Sequence, residues 1–472
     1  MRRRLEGIMD RERGGGWWRA RPGLDGDAVL DLLERPWFER VWVIQEICRA
    51  REEEGAVVFA CGDGRIAWEK LWAAVLFLAL WMMRETRAIG DSEWAVVRDW
   101  RLRRFVRRMG MDPARSYSPR AAQTLGTRKK YLQGDLQNTL KGLLLSLYVA
   151  DSENPLQCRD PEDKIRALRG LASDGEMLDG PGFILPGISW NHLYTRLARH
   201  VYGQGDLDFL SLCRCRNPVL PSWVTDWSQQ QRPPWLGYAH APGGAGASSL
   251  FNAGKGTQAR VYENEGDDDD MEVLCLEGFT VDTISEVGSE WTAHLSEDFS
   301  WESASLRIAD IDHFLSRSQL YSAAEKAAAR WRILVADRMA NDVNEHVRAT
   351  TTRAAEESFA RLEAIITNSF LRGTGSLGAW YYPYRSTLLS LWSSRPFLSS
   401  KGYVGLCPGT ASQGDTVIIP GGSHCPYVVR SRGQQGSTSP WELLGEAYVH
   451  GVMDGELDLG RRGGEAERFR LV

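Results

Sequence analysis

The chain has 472 residues, 43% hydrophobic and 25% charged, with a formal net charge of −5. That apolar share excludes a chain disordered throughout, and the length sets an expectation of about two to four domains. So small a net charge gives no general affinity for polyanions, so nucleic-acid binding is not expected and would need a local basic patch.

Residues 1–27, rich in Arg and Gly (RERGGGWWRARPGLDGD), read as loop or disorder. No apolar core follows the basic Met1-Arg2-Arg3-Arg4 start, so secretion is not expected. A helical run begins near Asp27 and is interrupted at Pro36, and a stronger helix covers Trp37 to about Ala50. Ala56–Cys61 and Arg65–Trp68 read as strands joined by a turn at Gly62-Asp63-Gly64. Helices then dominate to about Arg108. Within them the most apolar run, Leu71–Met83, falls short of the roughly 20 residues that span a bilayer and reads as a buried core helix. No transmembrane segment is expected, and the expected location is cytoplasmic.

Residues 111–134 read as a polar linker and 135–204 as a helical region. In the latter, Asp160-Pro161-Glu162-Asp163 makes a helix start: Asp160 can cap, Pro161 suits the first turn, and Ile165, Leu168 and Leu171 form an apolar face. Residues 205–290 read as β-rich, with Cys213 and Cys215 alternating along a strand and Asp267–Asp270 an acidic, solvated loop. Residues 300–371 are a helical block, in which Ser322–Phe370 supplies one or two long helices. Residues 372–472 return to short strands bounded by Gly and Pro. Gly414-Asp415 should make a tight turn, with Val417, Ile419 and Val429 in the core and Tyr448-Val449 in a strand ending at Gly451. The two β-rich segments should share one core, because each alone has few strands with which to bury a face.

Several chemical signals are weak. The eight cysteines form no Cys-x-x-Cys pair, and reduced structural thiols are expected, with metal or redox roles as the alternative. Gly254-Lys255-Gly256-Thr257 lacks the first glycine and the Lys-Ser/Thr pair of a phosphate loop. His424-Cys425 has no second ligand pair nearby in sequence, and His450 near Glu446 reads as a structural histidine. Val96–Met109 (VVRDWRLRRFVRRM) is a basic amphipathic stretch, either a solvated face or a contact for a membrane, an acidic partner or nucleic acid. In the helix after Pro36, Trp37, Val41, Ile44 and Cys48 share one face, while Trp42 and Glu46 lie nearly opposite, one turn apart. Trp42 there implies a cover: another element, with Glu46 paired to Arg40 or Arg49, or a ligand whose ribose hydroxyls the carboxylate accepts.

RPWFERVWVIQE (35–46) followed by VVFACGDGRIAWEKL (57–71) resembles the closing part of the fungal heterokaryon-incompatibility (HET) domain. Three further stretches resemble the same family, in its order: DPEDKIRALRGLA (160–172), LPSWVTDWS (220–228) as a strand motif, and the tail GYVGLCPGTASQGDTVIIPGGSHCPYVVR with WELLGEAYVHGVMDGE. The family's opening strand motif and its Cys-Ile-Asn-Gln segment have no counterpart, so the resemblance implies a HET domain lacking its N-terminal part, residues 28–110 holding the rest. Glu162, Arg166, Arg169 and Thr225 also depart from the family's usual residues.

The resemblance implies an α+β fold: a partial TIR-like α/β segment, a helical middle and a β-rich C-terminal region. It implies a regulatory protein of fungal non-self recognition and programmed cell death that acts on an unidentified protein partner, without cofactor or metal, rather than a complete enzyme. HET domains are likened to TIR domains, and Trp42-Val-Ile-Gln-Glu46 has the Trp-to-Glu spacing of NAD-cleaving members. The alternative is therefore an NAD-consuming enzyme with Glu46 catalytic, Trp42 on the ligand face and NAD as substrate, inactive in this chain for want of the missing strands. A degenerate remnant is a third reading.

Overall fold

The computed structural model describes residues 31–53, 55–75, 120–134, 138–149, 155–180, 188–214, 216–231, 250–262, 272–291, 300–340, 346–349, 353–368, 387–433, 440–459 and 466–472, with single residues 183, 234 and 384. The N-terminal loop, most of the Leu71–Met83 run, the basic stretch Val96–Met109, Cys215 and the Asp267–Asp270 loop lie outside them. The chain divides into two units, one of residues 1–138, 151–159 and 170–172, the other of the remainder.

In the first unit the single helix expected from Trp37 is split. Pro36, lacking an N–H, opens a 3-10 turn over Pro36–Glu39, and extended Arg40 bridges to Gln157. Helix α1 (Val41–Arg49) follows and buries Val41, Ile44 and Cys48 as expected, together with Val43 and Ile47. Strands β1 (Val58–Cys61) and β2 (Gly64–Ala67) form the expected hairpin, with Gly62 at φ +58 in its turn. A helix runs on from Trp68 through Val75, where description stops.

Residues 120–133, read from sequence within a linker, are instead a helix, α2 (Arg120–Gln133), packed on α1. Its buried face is mostly polar, which is why periodicity misses it: Arg120, Thr124, Thr127 and Arg128 are buried beside Ala121 and Leu125. Thr124 Oγ1 donates to the Phe38 carbonyl at 2.9 Å. Arg128 donates to the carbonyls of Ile47, Ala50 (3.3 Å) and Arg51 (2.7 Å), capping the negative end of α1 with a guanidinium. The rest is apolar: Leu33, Phe38, Trp68, Leu71, Val75, Ala121 and Leu125 form one cluster.

In the second unit, α3 (Leu140–Tyr148) is capped by Thr139 Oγ1, which accepts from Gly142 N. The start at Asp160-Pro161 yields turns and one helical turn, Asp163–Arg166, without a side-chain cap, but Ile165, Leu168 and Leu171 are buried as expected. The departures at Arg166 and Arg169 are ion-paired, to Glu162 and Asp179. After α4 (Trp190–Gly203) the chain does not form the expected strand at Cys213. Asp208–Leu212 is a 3-10 helix, and 220–228 is turn, not strand, pinned by two fully buried tryptophans. Trp223 Nε1 donates to the Glu272 carbonyl, and Tyr202 donates to the Trp223 carbonyl.

The helical block holds α5 (Trp301–Arg317), α6 (Ala323–Leu334) and α7 (Arg353–Thr367). Ser322 and Glu325 form a reciprocal capping box at the start of α6. A hairpin not expected from sequence, β5 (Arg338–Ala340) with β6 (His346–Arg348), separates α6 from α7. It starts where Ala336 and Asp337 take φ of 51 and 50, and the fully buried Asp337 accepts from Arg332 and Arg348.

The remaining strands are β3 (Val261–Tyr262), β4 (Leu274–Val287), β7 (Ser394–Ser399), β8 (Val404–Pro408), β9 (Thr416–Pro420), β10 (Tyr427–Ser431), β11 (Pro440–Glu446), β12 (Tyr448–Val449) and β13 (Glu467–Leu471). They form one sheet in the order β12-β8-β7-β4-β13-β11-β10-β9, with β3 on β4. The 14-residue β4 also pairs with β9, so the sheet closes on itself into a barrel. Its interior takes Val281 and Ile284 from β4, Phe397 from β7, Cys407 from β8, Val417 and Ile419 from β9, Val428 from β10, Leu444 from β11 and Val449 from β12. The two β-rich segments thus share one core, because β4 supplies the strand that closes the ring. Val429 is buried as expected, though beyond a bulge after Val428 and apart from that interior. Gly414 sits at φ +94 in the β8–β9 turn, where the buried Asp415 carboxylate takes two 2.8 Å bonds from Arg430.

Candidate functional site

Beside the barrel, the segment after the Asp208–Leu212 turn runs along β11 and the end of β13. Ser222 fixes it there: its Oγ accepts from Leu443 N at 2.9 Å and donates to the Val472 carbonyl. Between this segment, the β8–β9 turn and the ends of β10 and β11 lies a groove of about 570 Å³. A smaller lobe of about 190 Å³ shares Arg214, Thr410 and Leu444 with it and adds Gln229, Trp392 and Pro408.

Four arginines line the two spaces, and each meets a carboxylate. Arg214 lies 3.1 Å from Glu446, Arg430 pairs with Asp415, and Arg216 (3.4 Å) and Arg432 (2.5 Å) both reach Glu442. The layering is one-sided. The Asp415, Glu442 and Glu446 side chains are at most 9% exposed, whereas Arg216 is 72% and Arg432 40% exposed. Negative charge is buried beneath the exposed guanidiniums of Arg216 and Arg432. A fifth arginine, Arg338 on β5, is fully buried, donates to Ser390 Oγ and interacts with Glu446; burial pushes it down to about 9. Aliphatic side chains adjoin these charges: Leu220, Val224 and Leu443 line the groove.

Sequence reading did not find this site. Its signal was two Arg-x-Arg pairs, Arg214/Arg216 and Arg430/Arg432, which only the docking of the 213–224 segment on β11 brings together. Cys213 lines the groove, but burial pushes its thiol up to about 12, which keeps it protonated and a poor nucleophile at neutral pH. Cys425 is likewise buried and raised, and among the described residues no His/Cys/Asp/Glu group could hold a metal. The Gly254–Thr257 turn packs on the 421–423 loop: Thr257 Oγ1 accepts from Gly422 N, and a Cβ on Gly254 would stand 2.8 Å from Ser423 backbone. His450 is buried against Tyr448 and, as expected, structural; Glu446 turns to Arg214 instead.

Trp42 and Glu46 lie together on the exposed face of α1, with Trp42 36% exposed and Glu46 without an ion pair to Arg40 or Arg49.

Residues 373–472 match the Het-6 beta-barrel domain, which spans β7 to β13. Over 93% of its length the chain is also similar, at 24% identity, to heterokaryon incompatibility protein 6, OR allele, of Neurospora crassa, covering 67% of that protein. The chain is thus similar to a fungal heterokaryon-incompatibility protein along most of its length and to the Het-6 barrel in its C-terminal part. The Het-6 barrel supplies one wall of the groove (Thr410, Arg430, Arg432 and Glu442), while the other, from Cys213 to Val224, precedes the matched residues, as does β4, which closes the ring. No solved structure matches the chain. Among the described residues no helix is long and apolar enough to cross a membrane.

Proposed function

We propose that this chain is a regulatory protein of heterokaryon incompatibility, acting in the cytoplasm in non-self recognition and programmed cell death, and that it works by protein contact through the arginine-lined groove. The observation that carries this reading is the groove itself: exposed guanidiniums over buried carboxylates beside an aliphatic lining, a composition suited to a protein interface. Similarity to a protein named for heterokaryon incompatibility supports the biological setting. NAD cleavage by Glu46 is the alternative. Against it, an exposed carboxylate acts in high dielectric, where it stabilises a developing positive charge only weakly.

The test is genetic. In a fungal strain that forms heterokaryons, the gene is deleted or replaced by a divergent copy, and survival of fused cells is scored. Fusions between strains with divergent copies should die, and deletion in one parent should restore growth. Unchanged survival after deletion would remove the chain from incompatibility.

A further inference from the structure

We infer that the groove beside the Het-6 barrel binds an acidic peptide segment of a partner protein, one in which glutamate or aspartate alternates with aliphatic residues. The inference rests on the reading of the groove as a protein-contact site and names the chemistry of the partner. Charge comes first. Glu442 is shared by two guanidiniums, and Glu446 faces Arg214 at its surface and the buried Arg338 behind it. Five arginines therefore meet three buried carboxylates, and Arg216 and Arg432 are the most exposed of the set. Arg216 touches Glu442 through Nε at 3.4 Å and Arg432 through one Nη, so the remaining forks are open to a second carboxylate in the bidentate geometry that guanidinium favours.

Shape and apolar lining decide between a peptide and a bare oxyanion. A single phosphate or carboxylate would occupy a small part of about 570 Å³, and the adjoining lobe extends the space past Arg214. Leu220, Val224, Leu443 and Leu444 line the groove beside the charges, an apolar wall that a small anion cannot use. A chain of alternating acidic and aliphatic side chains meets both demands, since successive residues of an extended segment point to opposite sides.

The experiment uses the full chain and a fluorescein-labelled octapeptide of alternating glutamate and leucine, followed by fluorescence anisotropy. The expected result is saturable binding that weakens with salt and is lost when lysine replaces glutamate. Replacing leucine by serine should weaken it. Because removing both arginines alone would strand the Glu442 carboxylate, the cluster is changed as a unit: Arg216→Gln with Arg432→Gln and Glu442→Gln should weaken binding about tenfold. Arg216→Ala alone, which leaves the Arg432–Glu442 pair in place, should weaken it less and leave melting unchanged, so the result does not hang on the triple variant folding. Equal binding of the lysine peptide, or unchanged affinity in Arg216→Ala and in a folded triple variant, would overturn the inference. So would displacement by inorganic phosphate combined with equal affinity of the serine peptide, which would mark a bare oxyanion site. These outcomes are separable from the genetic test, since loss of incompatibility on deletion would stand even if no acidic peptide bound.

Discussion

Around the Het-6 barrel, seven strands each send at least one apolar side chain into a single interior, whereas α2 holds α1 partly through Thr124 and Arg128 on backbone carbonyls. The first arrangement depends on volume and is indifferent to the exact hydrocarbon. The second depends on particular donors, and each loss leaves a buried acceptor unsatisfied. The barrel should therefore fail when a charge enters it, and the α1–α2 pair when a charge leaves it.

The largest effect is expected at Val417, which is 1% exposed and points into the barrel interior. Val417→Asp should cost roughly 3–5 kcal/mol, read from denaturant unfolding, because the side chains gathered in that interior are apolar and offer the carboxylate no cation. Normal melting of the Val417→Asp variant would show that the interior is wetter than its apolar lining indicates.

His450 sharpens the comparison from the polar side of the barrel. Burial, with Arg332 nearby, pulls its imidazole down to about 4, so the folded chain holds it neutral. The unfolded chain binds a proton from about pH 6.5 downward. Stability from this group is therefore present above pH 6.5 and lost as pH falls toward 4, by roughly 2–3 kcal/mol. The check is the difference in unfolding free energy between the native chain and His450→Gln across that window. It should narrow as pH falls, and a constant gap would count against a neutral buried imidazole.

For the α1–α2 pair, Arg128→Met keeps much of the volume and removes the donors. It should cost about 2 kcal/mol and speed amide exchange at the C-terminal end of α1 while leaving β9 protected. Uniform loss of protection across both regions would show that the two units unfold together. The smallest effect is expected at Glu46, exposed and without an ion pair among the described residues. Glu46→Ala should leave thermal melting unchanged, and the native chain should release no nicotinamide from NAD by chromatography. Release abolished by Glu46→Ala would restore the enzymatic reading.

The elements that sequence made legible are those whose signal is local. Alternation placed Val417 and Ile419 in the core, Gly414-Asp415 marked a turn, Gly62 marked a hairpin, and the apolar stripe of α1 appeared at helical spacing. What it misread has non-local causes. Residues 120–133 look like a linker because their buried face is completed by carbonyls 77 to 86 residues away. The strand pattern in LPSWVTDWS gives way to turns because Trp223 and Trp227 are anchored by distant elements. The groove is the clearest instance. Arg214 and Arg216 stand more than 200 positions from Arg430, Arg432 and the carboxylates they share. Composition and periodicity marked the buried residues of α1 and β9 and the turns at Gly62 and Gly414. Only the docking of the 213–224 segment along β11 decided which charges would meet, because contacts between segments distant in sequence, and not any local preference, set those distances.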